Sequence, residues 1–187
     1  MAVSRTSPRL IGVLVLALGC RQVASRSTKA GQLEVHWTGS SAGNIAGSAS
    51  AEWCAAQRFL EIRSIEGDTG IAVVLYPAKA LGPGHYPIVE PTKAESIPPS
   101  AGLALRWLTK TAVQGLRADS GGVDLERSPT GQLSGRLKAR ARSVVDTLRI
   151  TLTGTFQNLT VNPESRGCGP ASEQPEEAAE ARDTGLH

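Results

Sequence analysis

The chain has 187 residues, of which 40% are hydrophobic and 20% are charged, which is enough for one globular domain and too little for two large ones. Its aromatic residues are only three Trp, two Tyr and two Phe, whereas it has 20 Gly and 11 Pro, a composition that favours short strands and turns. The formal net charge of +3 is well short of the clustered basic excess of a nucleic-acid-binding surface, so nucleic acid is excluded as a partner.

Residues 1–19 have the organisation of an export signal. Arg5 and Arg9 precede an apolar run over residues 10–18, which is shorter than the roughly 20 residues of a transmembrane helix. The segment Leu16-Ala17-Leu18-Gly19-Cys20 resembles the end of a bacterial lipoprotein signal, where a small residue precedes the cysteine that becomes lipidated. The resemblance implies a lipidated Cys20 and an anchor in the outer membrane of the cell envelope. The alternative is an ordinary secretory signal in which Cys20 is incidental.

Two further segments flank the predicted domain, which we assign to residues 32–170. Residues 20–31 are polar and aperiodic and contain Arg21, Arg26 and Lys29, which predicts a flexible tether beside the membrane. Residues 171–187 contain five acids and one Arg, which predicts a disordered acidic tail.

Beyond Cys20, the chain has two cysteines, Cys54 and Cys168. An even remainder in an exported protein predicts one disulfide bond between them. The alternative is a metal site, but the three histidines have no ligand spacing with either cysteine. We therefore predict no metal and no other cofactor.

Period-two alternation of apolar and polar residues recurs along the predicted domain and indicates half-buried strands. Residues 33–37 and 45–53 alternate in this way, residues 71–76 are apolar on both faces, and residues 81–100 are rich in proline and predict at best a short edge strand. About eight or nine strands at this spacing predict an all-β fold, an antiparallel sandwich or barrel.

The clearest alternation lies in the last two long strands, over residues 133–141 and 148–156. Pairing Arg142 with Thr147 across a four-residue loop places every apolar residue on one face and Arg149 opposite Arg140. The apolar phase changes after Phe156, which predicts a β-bulge near Asn158.

One pattern matches a catalytic motif. The segment Gly39-Ser40-Ser41-Ala42-Gly43 has the spacing of the nucleophile turn of α/β-hydrolases. The residues that follow alternate like a strand instead of a helix, so we interpret the segment as a hairpin loop and predict that the protein is not an enzyme.

Aromatic residues provide two candidate binding features. Trp37, Trp53 and Trp107 share the phase of the apolar residues in their strands, which favours core packing over an exposed stacking platform. His85-Tyr86 lies in the proline-rich region and is a candidate loop site.

A row of cations is the strongest functional signal, formed by Arg136, Lys138, Arg140, Arg142 and Arg149. Alternation on the preceding strand places Asp124 near Arg136, so one carboxylate faces five cations. Like charges on one sheet face destabilise it slightly, which favours a role in binding an anionic envelope component or an acidic protein. Protection of an exposed strand edge is the simpler explanation. The sequence thus predicts a membrane-anchored, non-enzymatic binding or structural module, and the alternative is a β-barrel carrier of an apolar ligand.

Overall fold

The computed structural model describes residues 30–163, which form eleven strands and one short helix. The predicted export signal, most of the predicted tether, Cys168 and the predicted acidic tail lie outside the described residues. The strands are β1 (Gln32–Gly39), β2 (Gly43–Ser48), β3 (Ser50–Cys54), β4 (Phe59–Glu66), β5 (Thr69–Tyr76), β6 (Gly84–Ile88), β7 (Ser100–Leu108), β8 (Val113–Arg127), β9 (Leu133–Ser143), β10 (Arg149–Leu159) and β11 (Val161–Pro163), and helix α1 (Pro91–Ala94) follows β6.

All eleven strands belong to one sheet, with the order β11-β3-β4-β5-β7-β6-β8-β9-β10-β1-β2. The neighbours are antiparallel except for β11 with β3 and β6 with β7. Only Ala49 separates β2 from β3, yet β2 pairs with β1 and β3 pairs with β4. The strands β2 and β3 lie near opposite ends of the sheet order but are joined by one residue. The sheet must therefore curl to bring its two ends together. Across this junction, Ser64 Oγ on β4 donates a hydrogen bond to the Ser48 carbonyl oxygen of β2 at 2.9 Å.

The prediction of an all-β fold is confirmed, but the sandwich and the count of eight or nine strands are wrong. One curled sheet replaces two packed layers. The continuous alternation over residues 45–53 hides the break at Ala49, where the Ala49 amide donates to the Gly31 carbonyl oxygen at 2.9 Å. The short strand β11 also adds to the count, because its three residues give no clear alternation.

The core fills the concave side of the curled sheet. Apolar side chains from ten of the strands meet there in one cluster, and Trp37 stacks on Trp107 with ring centroids 5.8 Å apart. Trp53 and Trp107 pack against the cluster from partly buried positions, so the prediction that the tryptophans pack in the core is confirmed. The largest fully buried side chains are Phe156, Leu33, Ile45, Leu60, Ile62, Ile71, Leu75, Leu105, Leu116, Leu133, Leu152 and Leu159.

Strand β8 changes its partner halfway along its length. Its first part pairs with β7, and residues 121–125 pair with β6. Between them, the register with β9 shifts between Ala118 and Ser120, and such a bulge bends a strand. The proline-rich region therefore supplies a short strand, as predicted, but this strand is inserted where β7 and β8 separate.

The β9–β10 hairpin differs from the predicted register by two residues. Arg149 pairs with Arg142 instead of Arg140. The loop explains the difference: Ser143 Oγ accepts hydrogen bonds from the amides of Val145 and Asp146 at 3.2 and 3.1 Å. This turn closes on Ser143, one residue later than expected. The inward and outward faces are unchanged because a two-residue shift preserves them. The bulge is confirmed, since the register shifts between Phe156 and Leu159.

Candidate functional site

A groove with a volume of about 1080 Å³ crosses the outer face of the sheet over β8, β9 and β10. On one side it is bordered by His85 of β6, and on the other side by Glu34 and His36 of β1. The outward side chains along the groove between these borders are Ser120 and Asp124 on β8, Arg136, Lys138 and Arg140 on β9, and Thr151, Thr153 and Thr155 on β10.

Two adjacent glycines of β8 shape the groove. Gly121 has a φ of +127°, a backbone conformation that residues with a side chain rarely adopt. A Cβ at this position would also overlap the Lys138 carbonyl oxygen of β9. A Cβ on Gly122 would overlap the imidazole of His85. The absence of both side chains therefore lets β9 approach β8 closely and lets His85 lie over the strand.

The three cations of the groove stand in a line and face a line of hydroxyl groups. Arg136 is paired across the strands with Thr155, Lys138 with Thr153, and Arg140 with Thr151. All three cations are exposed. Among residues 30–163, the structure records no ion pair for any of them.

The two carboxylates that line the groove contact histidines instead. Glu34 Oε1 lies 2.9 Å from Nε2 of His36 on the same strand, and Asp124 Oδ1 lies 2.8 Å from Nδ1 of His85. Asp124 is the cross-strand neighbour of Arg136, as the sequence predicted, but its recorded partner is the histidine. The cations of the groove thus keep their charge available to an external anion.

The other two members of the predicted cation row lie outside this groove. Arg142 contacts Glu90 at 3.2 Å and Asp119 at 3.6 Å, so its charge is balanced within the protein. Arg149, the cross-strand partner of Arg142, lines a smaller neighbouring depression of about 360 Å³ together with Arg140. The five predicted residues therefore share one face, but only Arg136, Lys138 and Arg140 line the large groove.

Sequence reasoning missed His36 and the three threonines. The threonines alternate visibly on β10, but an alternating polar residue on a strand is ordinary in itself. The threonines belong to the site because the register with β9 places them opposite the cations. His36 belongs to it because β1 pairs with β10, where His36 lies opposite Thr153. That contact joins residues more than 100 positions apart, which local patterns cannot predict.

The remaining candidate features have structural roles. The Gly39–Gly43 segment joins β1 to β2, so the predicted hairpin loop is confirmed, and Ser40 Oγ accepts a hydrogen bond from the Arg149 amide at 3.2 Å. Of the His85-Tyr86 pair, only His85 lines the groove. Tyr86 is buried, and its hydroxyl donates to the Gly82 carbonyl oxygen at 2.9 Å.

Two predictions involve residues that the structure does not describe. Cys20 lies outside the described residues, so lipidation stays a prediction. Cys54 is buried at the end of β3, but Cys168 lies outside the described residues, and the pairing of the two cysteines also stays a prediction.

Within residues 30–163, no group of three or more His, Cys, Asp or Glu side chains is placed to hold a metal ion. In the same part of the chain, no helix is long and apolar enough to cross a membrane. No protein-family model, no curated protein and no solved structure matches this chain.

Proposed function

We propose that the protein is a lipid-anchored, non-enzymatic binding module of the bacterial cell envelope and that its groove binds an anionic envelope component. The observation that supports this proposal is the contrast along β9. Arg142 contacts two carboxylates, whereas the three cations before it have no recorded ion pair among the described residues.

The position of β9 weakens the simpler explanation of the cation row. Lysine and arginine protect strands at a sheet edge from pairing with other chains. Strand β9 is paired along its length with β8 on one side and β10 on the other, so it has no edge to protect. Like charges on neighbouring outward positions repel, and the fold gains nothing from aligning them. An anionic partner would relieve the repulsion.

The anchor is the second part of the proposal. The lipoprotein-like segment ending at Cys20 would tether the domain through a chain that enters β1 at Gln32. Mature protein should partition into detergent and show a lipidated Cys20 by mass spectrometry, and Cys20→Ala should yield an unprocessed or soluble form. Recovery of mature wild-type protein with an unmodified Cys20 would contradict the anchor.

The alternative, a carrier of an apolar ligand, gains no support from the described residues. Such a ligand needs an open apolar cavity, and the concave side of the sheet is occupied by the hydrophobic cluster. The groove on the outer face is lined by three cations and by hydroxyl groups, which suit an anion, and its two carboxylates contact histidines.

Two matched double variants test the groove. Lys138→Glu with Arg140→Glu reverses two groove cations, whereas Arg106→Glu with Arg117→Glu makes the same change in net charge on β7 and β8, outside the groove. The chain without residues 1–19 and with Cys20→Ser can be assayed by retention on phosphocellulose and by co-sedimentation with vesicles of phosphatidylglycerol.

The groove variant should weaken binding to at least one of these anionic supports by about tenfold or more, because each charge-assisted hydrogen bond contributes about 1.5 to 3 kcal/mol. The control variant should retain most of the binding. Equal losses in both variants would show a diffuse electrostatic effect and overturn the assignment to the groove.

A further inference from the structure

The groove contains a structural unit that is repeated three times. Each unit is one cation of β9 with one threonine of β10 directly across from it: Arg136 with Thr155, Lys138 with Thr153, and Arg140 with Thr151. Successive outward residues of a strand are roughly 7 Å apart. The β9–β10 pair thus presents three cation–hydroxyl units, two with Arg and one with Lys, at a regular spacing along the strands.

The chemistry of one unit matches one phosphodiester group. A phosphodiester has one negative charge and two non-bridging oxygens, and proteins contact such oxygens with Arg, Lys and Ser or Thr side chains. In each unit, the cation can contact one oxygen and the threonine hydroxyl can donate to the other. Three units in line therefore fit three successive phosphates of one chain better than they fit three separate ions.

The shape of the groove favours a chain over a flat surface. His85 borders it on one side, and Glu34 and His36 border it on the other, so the cations form one line bounded on both sides. An extended polymer can follow such a line and contact all three units, whereas the charges of a bilayer surface extend in two dimensions. From these observations, and building on the function proposed above, we propose that the groove binds a linear polymer of phosphodiesters joined by short polyol linkers.

The two ends of the groove differ in charge. Asp124 and Glu34 lie on the strands at the level of Arg136 and Thr155. At the other end, Arg140 has Ser120 and Thr151 as its cross-strand neighbours, and no carboxylate lines the groove there. The polymer should therefore be held most strongly at Lys138 and Arg140 and more weakly at Arg136.

A length series of ligands tests the proposal. Inorganic phosphate and glycerol phosphate oligomers with one to six phosphates can be titrated into the chain without residues 1–19, carrying Cys20→Ser, by isothermal calorimetry. Affinity should rise steeply up to three phosphates, because each added contact is intramolecular, and should change little beyond three. The salt dependence of binding to long oligomers should decrease when Lys138→Gln removes one cation.

Two variants separate the hydroxyl contribution from the charge contribution. Thr153→Val should weaken binding of the three-phosphate oligomer several-fold without changing its salt dependence, and Thr153→Ser should restore the affinity. Arg106→Gln on β7, outside the groove, is the control for loss of one cation and should have little effect.

The outcomes distinguish this inference from the proposed function. If one phosphate binds as tightly as three, or if phosphatidylglycerol vesicles bind through Lys138 whereas the oligomers do not, the linear-polymer proposal is overturned and anion binding at the groove remains. If neither the oligomers, inorganic phosphate nor vesicles distinguish Lys138→Gln from Arg106→Gln, the proposed function itself is overturned.

Discussion

Two regions of the outer sheet face have the same number of cations but arrange them differently. The groove over β8, β9 and β10 has its three cations on one strand, each beside a threonine. A second depression of about 430 Å³ over β4, β5, β7 and β8 is lined by Arg63, Arg106 and Arg117, which lie on three different strands.

The surroundings of the cations also differ between the two regions. The lining of the second depression contains alanine and glycine between its arginines, has no Ser or Thr, and includes the exposed Ile65 and Val144. Arg63 there pairs with Glu61 at 2.8 Å. The comparison shows that alignment and neighbouring hydroxyl groups, more than the number of charges, distinguish the groove. The second depression therefore supplies the matched controls.

The largest expected effect on stability comes from the predicted disulfide. Its described cysteine, Cys54, ends β3, which is next to the edge strand β11 and is separated from β9 by five strands in the sheet. Strand β11 runs parallel to β3 with Pro163 opposite Trp53, and Cys168 follows five residues later, a length that spans at most about 17 Å. Cys168→Ser should lower the free energy of unfolding by about 4 to 5 kcal/mol, because the bond closes a loop of more than 100 residues.

The measurement is urea denaturation of wild type and Cys168→Ser, with a non-reducing peptide map of wild type. The serine variant should bind the three-phosphate oligomer with unchanged affinity while it is folded, since Cys54 does not line the groove. Recovery of both cysteines as free thiols in the map would contradict the prediction.

Gly121 gives the next largest effect. Gly121→Ala should destabilise the protein by about 2 kcal/mol or more, because the alanine must adopt a left-handed backbone conformation and its Cβ overlaps the Lys138 carbonyl oxygen. The control is Gly102→Ala on β7, where a Cβ meets no atom within 4 Å. Equal urea midpoints for the two variants would show that the groove does not depend on close approach of β8 and β9.

The sequence predicts the parts of this fold that depend on local alternation. The outward phase of Arg136 and the proximity of Asp124 to it follow from the period of two and are confirmed. The predicted partner of Arg149 is wrong by two residues, because the hydrogen bonds that Ser143 accepts decide where the loop closes. A side chain that accepts two amide hydrogen bonds in a turn gives no distinct signal in an alternating pattern.

The site is less predictable than the fold because the residues that border it come from strands distant in sequence. His85 belongs to a short strand whose proline-rich sequence suggests a loop, and His36 reaches the groove through the pairing of β1 with β10. The curl of the sheet likewise depends on the single-residue break at Ala49. These features arise from tertiary pairing, which overrides the local pattern.

The charge asymmetry along the groove predicts a smaller change in affinity. Asp124→Asn should increase affinity for the three-phosphate oligomer by about threefold, because a unit charge about 6 Å away in water contributes about 0.7 kcal/mol. Glu126→Gln, two residues further along β8 and outside the groove lining, is the matched control and should change affinity less. An unchanged affinity for Asp124→Asn would show that the ligand does not extend to Arg136.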